Sequence, residues 1–312
     1  MTSTTAPKKK FKKQHLDARL WTPDVKLFNL IGYILLIFFA FMCIIPFYLI
    51  IVGSFESELI LTTKGYSLYI RDFTLKAYEM AVGDGTAILK AYGITAATTV
   101  VGTFLSVFIC SMTGYVLSRK DFPWRNRFSF FFFFTTLFSG GLVPYYIMCT
   151  RYYGFKNSFW ALVLPMAFSV WNMIIAKSFM RGIPDAIAES AKIDGANDFT
   201  IYYKLIIPLS TPLIATIGLF SGLGYWNDWY NCMLFITKEN MYTLQYYLQA
   251  MLNDAEALKR IAEFSSNITL ENVPSESMKM AMTVIATGPI VLLYPFVQRY
   301  FVKGLTIGAV KG

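Results

Sequence analysis

The segment Arg181-Gly182-Ile183-Pro184-Asp185-Ala186-Ile187-Ala188-Glu189-Ser190-Ala191-Lys192-Ile193-Asp194-Gly195-Ala196-Asn197-Asp198-Phe199-Thr200-Ile201-Tyr202-Tyr203-Lys204-Leu205-Ile206-Ile207-Pro208 separates two long apolar blocks, residues 159–180 and 212–236. Pro184 with Asp185 suits a helix start, where a proline has no hydrogen-bonded N–H to lose. Ala, Ile and Glu sustain that helix as far as Asp194-Gly195, and glycine permits the left-handed turn that ends it. A second short helix then runs to Pro208. The pattern predicts a helix–turn–helix knob held between two membrane spans.

Working outward, the whole chain fits a membrane solvent. Of its 312 residues 55% are apolar and 17% aromatic, and only 15% are charged, against about a quarter in soluble domains. A bilayer core needs about 20 mostly apolar residues in helical form, because every backbone N–H and C=O must be satisfied within the segment. Six blocks meet that requirement: residues 27–53, 91–117, 128–148, 159–180, 212–236 and 280–302. The expected fold is all-α and polytopic, with six transmembrane helices forming one permease-like unit over residues 27–302.

The net charge of +9 has an orientation rather than a nucleic acid as its explanation. With the N-terminus inside, the inner segments carry 18 Lys and Arg against 7 acids, the outer ones 10 against 11, and Asp228 lies within a span. Basic excess on alternate loops marks the cytoplasmic side. Both termini are therefore expected in the cytoplasm: a basic tail of residues 1–26, which contains Lys8-Lys9-Lys10-Phe11-Lys12-Lys13, and a short tail of residues 303–312. The knob, residues 181–211, falls on the same side. The long segments 54–90 and 237–279 lie outside, where Glu256, Lys259, Arg260 and Glu263 have the spacing of a charged surface helix.

Several chemistries lack their residues. Cys43, Cys110, Cys149 and Cys232 are scattered in or beside apolar blocks with no C-x-x-C spacing, so they read as structural thiols. The single histidine, His15, sits in the basic tail, which leaves no His-centred acid–base set. No P-loop pattern is present. No catalytic residues and no metal site are expected.

The knob carries a family resemblance. Glu189-Ser190-Ala191, then Gly195, then Leu205-Ile206-Ile207-Pro208 resembles the EAA loop of ABC importer permeases, E-A-A, three residues, G, nine residues, I-x-L-P, with every spacing kept. Ser190, Leu205 and Ile207 depart conservatively. Ile193-Asp194-Gly195-Ala196 is similar to the I-D-G-A of carbohydrate-importer permeases, and Trp226-Asn227-Asp228-Trp229 to their W-N-D-[WF]. The ending, from Arg299 to Gly312, resembles that of the MalG-like branch, and within it the LplC/YtcP-like permeases.

The resemblance implies a type I importer permease fold in the cytoplasmic membrane of a prokaryote. It implies that the loop couples to a separate ATPase, with Glu189 pairing with a basic residue there, Gly195 forming the turn and residues 196–204 docking. Ser190, Ala191, Asp194, Ala196 and Pro208 complete the motif, and Phe199, Tyr202 and Tyr203 are the aromatic anchors. Gly308, Lys311 and Gly312 would reach the ATPase interface as well. The implied partners are a second permease subunit, two ATPase subunits that bind ATP and Mg, an extracytoplasmic solute-binding protein, membrane lipid and a carbohydrate, an oligosaccharide or glycoside. No cofactor is bound by this chain itself.

Asp228 is a functional candidate because an ionisable group within a span is costly. Tyr225, Trp226, Asn227, Asp228 and Trp229 together offer aromatic platforms, an amide and a carboxylate, which suit a sugar's apolar faces and hydroxyl edges. Asn227 and Asp228 equally suit hydrogen bonds that hold the bundle together. Gly140-Gly141 and Pro144 are expected to break the third span. The competing functions are an EAA-loop permease for a non-sugar solute and an ion-coupled secondary transporter with Asp228 as proton site.

Overall fold

Backbone groups in hydrocarbon must pair within their own segment, and the apolar blocks accordingly fold as helices. The computed structural model describes residues 23–83, 85–264 and 276–309, and among these there is no strand, only one isolated bridge between Glu56 and Phe73. In chain order the helices are α1 (Pro23–Ser54), α2 (Glu58–Lys64), α3 (Lys76–Val82), α4 (Thr86–Ser118), α5 (Arg125–Leu137), α6 (Leu142–Tyr152) and α7 (Trp160–Met166). They continue as α8 (Val170–Met180), α9 (Asp185–Ile193), α10 (Asp198–Leu209), α11 (Thr211–Trp226), α12 (Tyr230–Phe235), α13 (Leu244–Phe264) and α14 (Glu276–Ala309). A single turn, Glu239–Met241, lies between α12 and α13.

Among the described residues two helices, Asp24–Ser54 and Thr86–Ser118, are individually long and apolar enough to cross a membrane. Three further pairs qualify only together: α5 with α6 at 113°, α7 with α8 at 47°, and α10 with α11 at 85°, which gives up to five spans. The sequence predicts unbroken helices over 159–180 and 212–236, and the structure interrupts both. Pro165 forces a tight turn at the end of α7, and Ser169, in extended conformation, caps α8 by accepting from the Asn172 N–H at 3.3 Å. The second block stops at Trp226 and restarts at Tyr230. The break expected at Gly140-Gly141 is present, with Gly141 at φ +89. The sixth block lies within α14, a helix of 34 residues.

Helix α4 is the central element, with α11 and α8 packed along it. Two glycines allow the approach. A Cβ on Gly102 would stand 2.3 Å from the Tyr225 ring, and one on Gly114 would stand 2.5 Å from the Ala176 Cβ. At the far end from the knob, α14 is anchored by Glu58. Its carboxylate accepts from the Glu276 N–H at 3.0 Å, the Ser277 N–H at 3.0 Å and the Ser277 hydroxyl at 3.0 Å, satisfying the first donors of that helix. By contrast α1 lies exposed over most of its apolar length, as suits lipid contact.

Candidate functional site

The knob forms where the sequence places it. Helix α9 closes with Ala196 N–H donating to Ala191 O at 2.9 Å and Gly195 N–H to Lys192 O at 3.0 Å, a Schellman arrangement that needs the left-handed φ of +82 at Gly195. Asn197 then caps α10, its Oδ1 accepting from the Thr200 N–H at 2.8 Å. Within α10, residues Tyr202–Ile206 widen to a π-helical turn ahead of Pro208.

This hairpin has two unlike faces. On the inner one, Ile201, Tyr202 and Ile206 are buried in one cluster with Cys110 and Tyr115 of α4, Ala176 and Met180 of α8, and Leu213 and Ile217 of α11. Ala191 and Ala196 pack against that cluster. The Tyr202 hydroxyl pairs with Ser111 Oγ at 2.7 Å. The outer face shows Glu189, Ser190, Asp194, Gly195 and Pro208 exposed, with Phe199 at 60% and Tyr203 at 65% of full exposure. Those two rings stack in parallel, 6.5 Å between centroids and 2° between planes. Of the three aromatics expected as partner anchors, Tyr202 is thus turned into the protein, because its register on α10 points it at α4.

One exposed residue escaped the sequence reading. Ile193, at 87% exposure, stands at the outer end of α9. An apolar side chain directly before an Asp-Gly stop, out of phase with the inward Ala188 and Ala191, is the signal that identifies it. Glu189 joins no ion pair among the described residues, although it is exposed beside several cations.

Ion pairs fasten the knob to the turn after α4. The Arg119 guanidinium donates to Asp121 Oδ1 at 2.8 Å, to Asp198 Oδ1 at 2.9 Å and to the Tyr115 hydroxyl at 2.8 Å. Lys192 reaches Asp121 at 3.2 Å and Asp198 at 3.5 Å, and Lys120 pairs with Asp185 at 2.7 Å. The bond from Arg119, with help from Lys192, holds the Asp121 carboxyl well below the usual carboxylate range. The same bond raises the already high pKa of Arg119.

The second candidate set divides at the helix break. Tyr225 is buried, its hydroxyl donating to Val163 O at 2.7 Å, and Trp226 donates from Nε1 to Ala286 O at 3.1 Å. Asp228 is also buried. Its carboxylate accepts from the Asn231 N–H at 3.2 Å and from Asn231 Nδ2 at 3.1 Å, in the manner of a helix cap for α12. Asn227 is exposed, donating to Leu223 O at 2.9 Å and accepting from Gln245 Nε2 at 3.2 Å. Trp229 and Tyr230 are exposed and meet edge to face at 6.0 Å. Gly308 falls in the last turns of α14; its surroundings, and all of Lys311 and Gly312, lie outside the described residues.

No family model matches the chain. It is 37% identical to the polygalacturonan/rhamnogalacturonan transport system permease protein YtcP of Bacillus subtilis (strain 168) over 287 residues, 92% of this chain and 99% of that one. Protein LplC of the same strain is 37% identical over 273 residues, 86% of this chain and 90% of that one. The trehalose/maltose transport system permease protein MalG of Thermococcus litoralis is 29% identical over 292 residues, 91% of this chain and 96% of the relative. Among solved structures, a bacterial ABC transporter involved in the import of the acidic polysaccharide alginate superposes with a TM-score of 0.74 at 27% identity, covering 90% of this chain and 99% of that one.

Proposed function

The chain belongs to the permease subunits of carbohydrate-importing ABC transporters, which are non-catalytic membrane components with the ATPase in separate subunits, and from that premise we propose how this one works. The loop of residues 181–211 docks on an ATPase partner through Ile193, Phe199 and Tyr203, with Glu189 free to meet a cation there. Two ATPase copies bind ATP and Mg. ATP-driven closure moves the knob, and the knob moves α4, α8 and α11. What supports this is one observation: the exposed apolar face and the membrane helices share a single buried cluster through Ile201, Tyr202 and Ile206. A rigid connection of this kind transmits displacement without a further hinge.

Six spans, with both termini and the knob in the cytoplasm, complete the reading for residues 27–302, supported by the asymmetry of Lys and Arg between loops. The membrane is a prokaryotic cytoplasmic membrane. A second permease subunit supplies the other half of the pore, an extracytoplasmic binding protein delivers solute, and the tail with Gly308, Lys311 and Gly312 joins the ATPase contact. The cargo is an oligosaccharide or glycoside, in keeping with a relative named for polygalacturonan/rhamnogalacturonan transport. Of the residues at the helix break, Asn227, Trp229 and the adjoining Tyr230 are the ones open to solute, whereas Tyr225, Trp226 and Asp228 support them from behind.

The test is affinity purification of the tagged chain from its native membrane. Wild type should bring an ATPase subunit and a second permease, and Ile193→Ser/Phe199→Ser should retain the permease while losing most of the ATPase. A protein that purifies alone, or a double variant that keeps its ATPase at wild-type level, rejects the docking surface.

A further inference from the structure

A cleft of about 290 Å³ opens beside the knob, between the end of α4, the start of α5, the end of α8 and the length of α9. Five basic residues line it, Arg119, Lys120, Arg125, Arg181 and Lys192, against the acids Asp121, Asp185 and Glu189. Internal pairing uses Asp121 for Arg119 and Lys192, and Asp185 for Lys120. Arg125 and Arg181 join no ion pair among the described residues. A third cation stands with them. Lys177, one turn before Arg181 on the same side of α8, donates to Ser129 Oγ at 2.7 Å, and Ser129 in turn donates to the Arg125 carbonyl at 2.5 Å.

Lys177 is therefore tied through Ser129 to the first turn of α5, which begins at Arg125, and stands one helical turn from Arg181. Three like charges brought together by two helix ends repel one another, and Glu189 is the one acid of the cleft left over to offset them. An anion seated among them removes that cost. Its source is indicated by depth. Trp124, half exposed, lies under the Arg127 guanidinium at 4.5 Å, a pairing that suits the head-group layer, and Phe128, Phe130 and Phe131 continue down the same helix exposed. Basic pockets between membrane helices on the cytoplasmic side are suited to anionic lipid head groups.

We propose that Arg125, Lys177 and Arg181 hold the phosphate of an anionic phospholipid head group at the base of the knob. The site stands whether or not the outer face of the knob docks on an ATPase. Its occupant would bridge α5 to α8, two helices otherwise joined there by the Lys177–Ser129 bond.

Native mass spectrometry of the full-length protein, released from nanodiscs of mixed phosphatidylglycerol and phosphatidylcholine, tests it. Wild type should retain phosphatidylglycerol in preference, and Arg125→Gln/Arg181→Gln should bind it roughly 30-fold more weakly, about fivefold for each cation lost near an anionic surface. Arg125→Lys/Arg181→Lys should stay near wild type, which separates loss of charge from loss of fold. Lys90→Gln/Lys238→Gln, removing the same charge from exposed positions elsewhere, should change nothing. Equal retention by wild type and the glutamine variant overturns the proposal. Displacement of the lipid by excess inorganic phosphate would make the site one for free phosphate and also overturn it. So would loss of a protein subunit from the native complex with lipid retention unchanged, because the cations would then serve a protein contact.

Discussion

At Gly195 helix α9 closes on backbone hydrogen bonds, and the side chains around it remain available: Glu189 joins no ion pair among the described residues, and Ile193, Phe199 and Tyr203 are exposed. At Asn227–Trp229, where α11 gives way to α12, the break is held largely by side chains. Asp228 caps Asn231, the Thr243 hydroxyl donates to Asp228 O at 2.9 Å, and Asn227 bonds in both directions. The contrast teaches how to weigh a charged residue in a membrane protein. A carboxylate within an apolar block attracts attention, yet here its hydrogen-bonding capacity is taken up by holding a helix break, while the exposed acid on the knob has capacity to offer.

The largest effect expected is that of Gly195→Pro. Proline fixes φ near −65°, against the +82 observed, and removes the N–H that bonds to Lys192 O. A local cost of about 3 kcal/mol or more should unfold the knob. Co-purified ATPase should be lost while the protein still inserts, whereas Gly195→Asn, which tolerates the left-handed turn, should keep most of it. An unaffected proline variant would mean that the turn does not shape the docking face.

Next come the variants of Asp228. Asp228→Ala leaves the buried Asn231 N–H and amide without their acceptor, at about 1–3 kcal/mol, and thermal unfolding in detergent should report it. Asp228→Asn keeps an acceptor and should retain both stability and transport. If the asparagine variant is stable but inactive, the carboxylate has a transport role and the contrast between the two regions fails.

A smaller effect is expected at Arg119. Its bond lowers the Asp121 carboxyl, so the pairing contributes fully above about pH 4, the value of an unfolded aspartate, and is lost only as acidification carries the pH down through the depressed folded value. Asp121 is 55% exposed, which limits the contribution to less than about 1 kcal/mol and makes it sensitive to salt. The melting difference between wild type and Arg119→Ala should therefore be constant from about pH 5 to 8 and shrink in acid. A difference that grows in acid would point to another partner. Ser190→Ala should be the smallest, within about 0.5 kcal/mol, because Ser190 is exposed and gives no packing to the inner face. ATPase retention should match wild type, and a marked gain or loss would place Ser190 in the contact itself.

Much of this was legible in the residues. Pro184, Asp194-Gly195 and Pro208 punctuate the knob in the sequence, and helices Asp185–Ile193 and Asp198–Leu209 lie between those marks. The charged helix expected beyond residue 237 is Leu244–Phe264. The breaks after Pro165 and Trp226 were not legible, because apolar content continues through them and hydropathy does not distinguish a helix from a turn buried among other helices. Tyr202 was misplaced for a related reason: aromatics at positions 199, 202 and 203 look alike in composition, and only the angle of α10 against α4 separates them.

What the sequence by itself determined is whatever depends on solvent and on local stereochemistry. Apolar runs long enough for a bilayer dictate helices, and a glycine after an aspartate dictates where a helix stops. What only the tertiary structure decided is which side chains are already satisfied. The burial of Tyr202 on Ser111, the bond of Tyr225 to Val163 O and the gathering of Arg125, Lys177 and Arg181 each join residues from separate helices. A polar group's availability depends on partners that are distant in sequence, so no local pattern could have shown it.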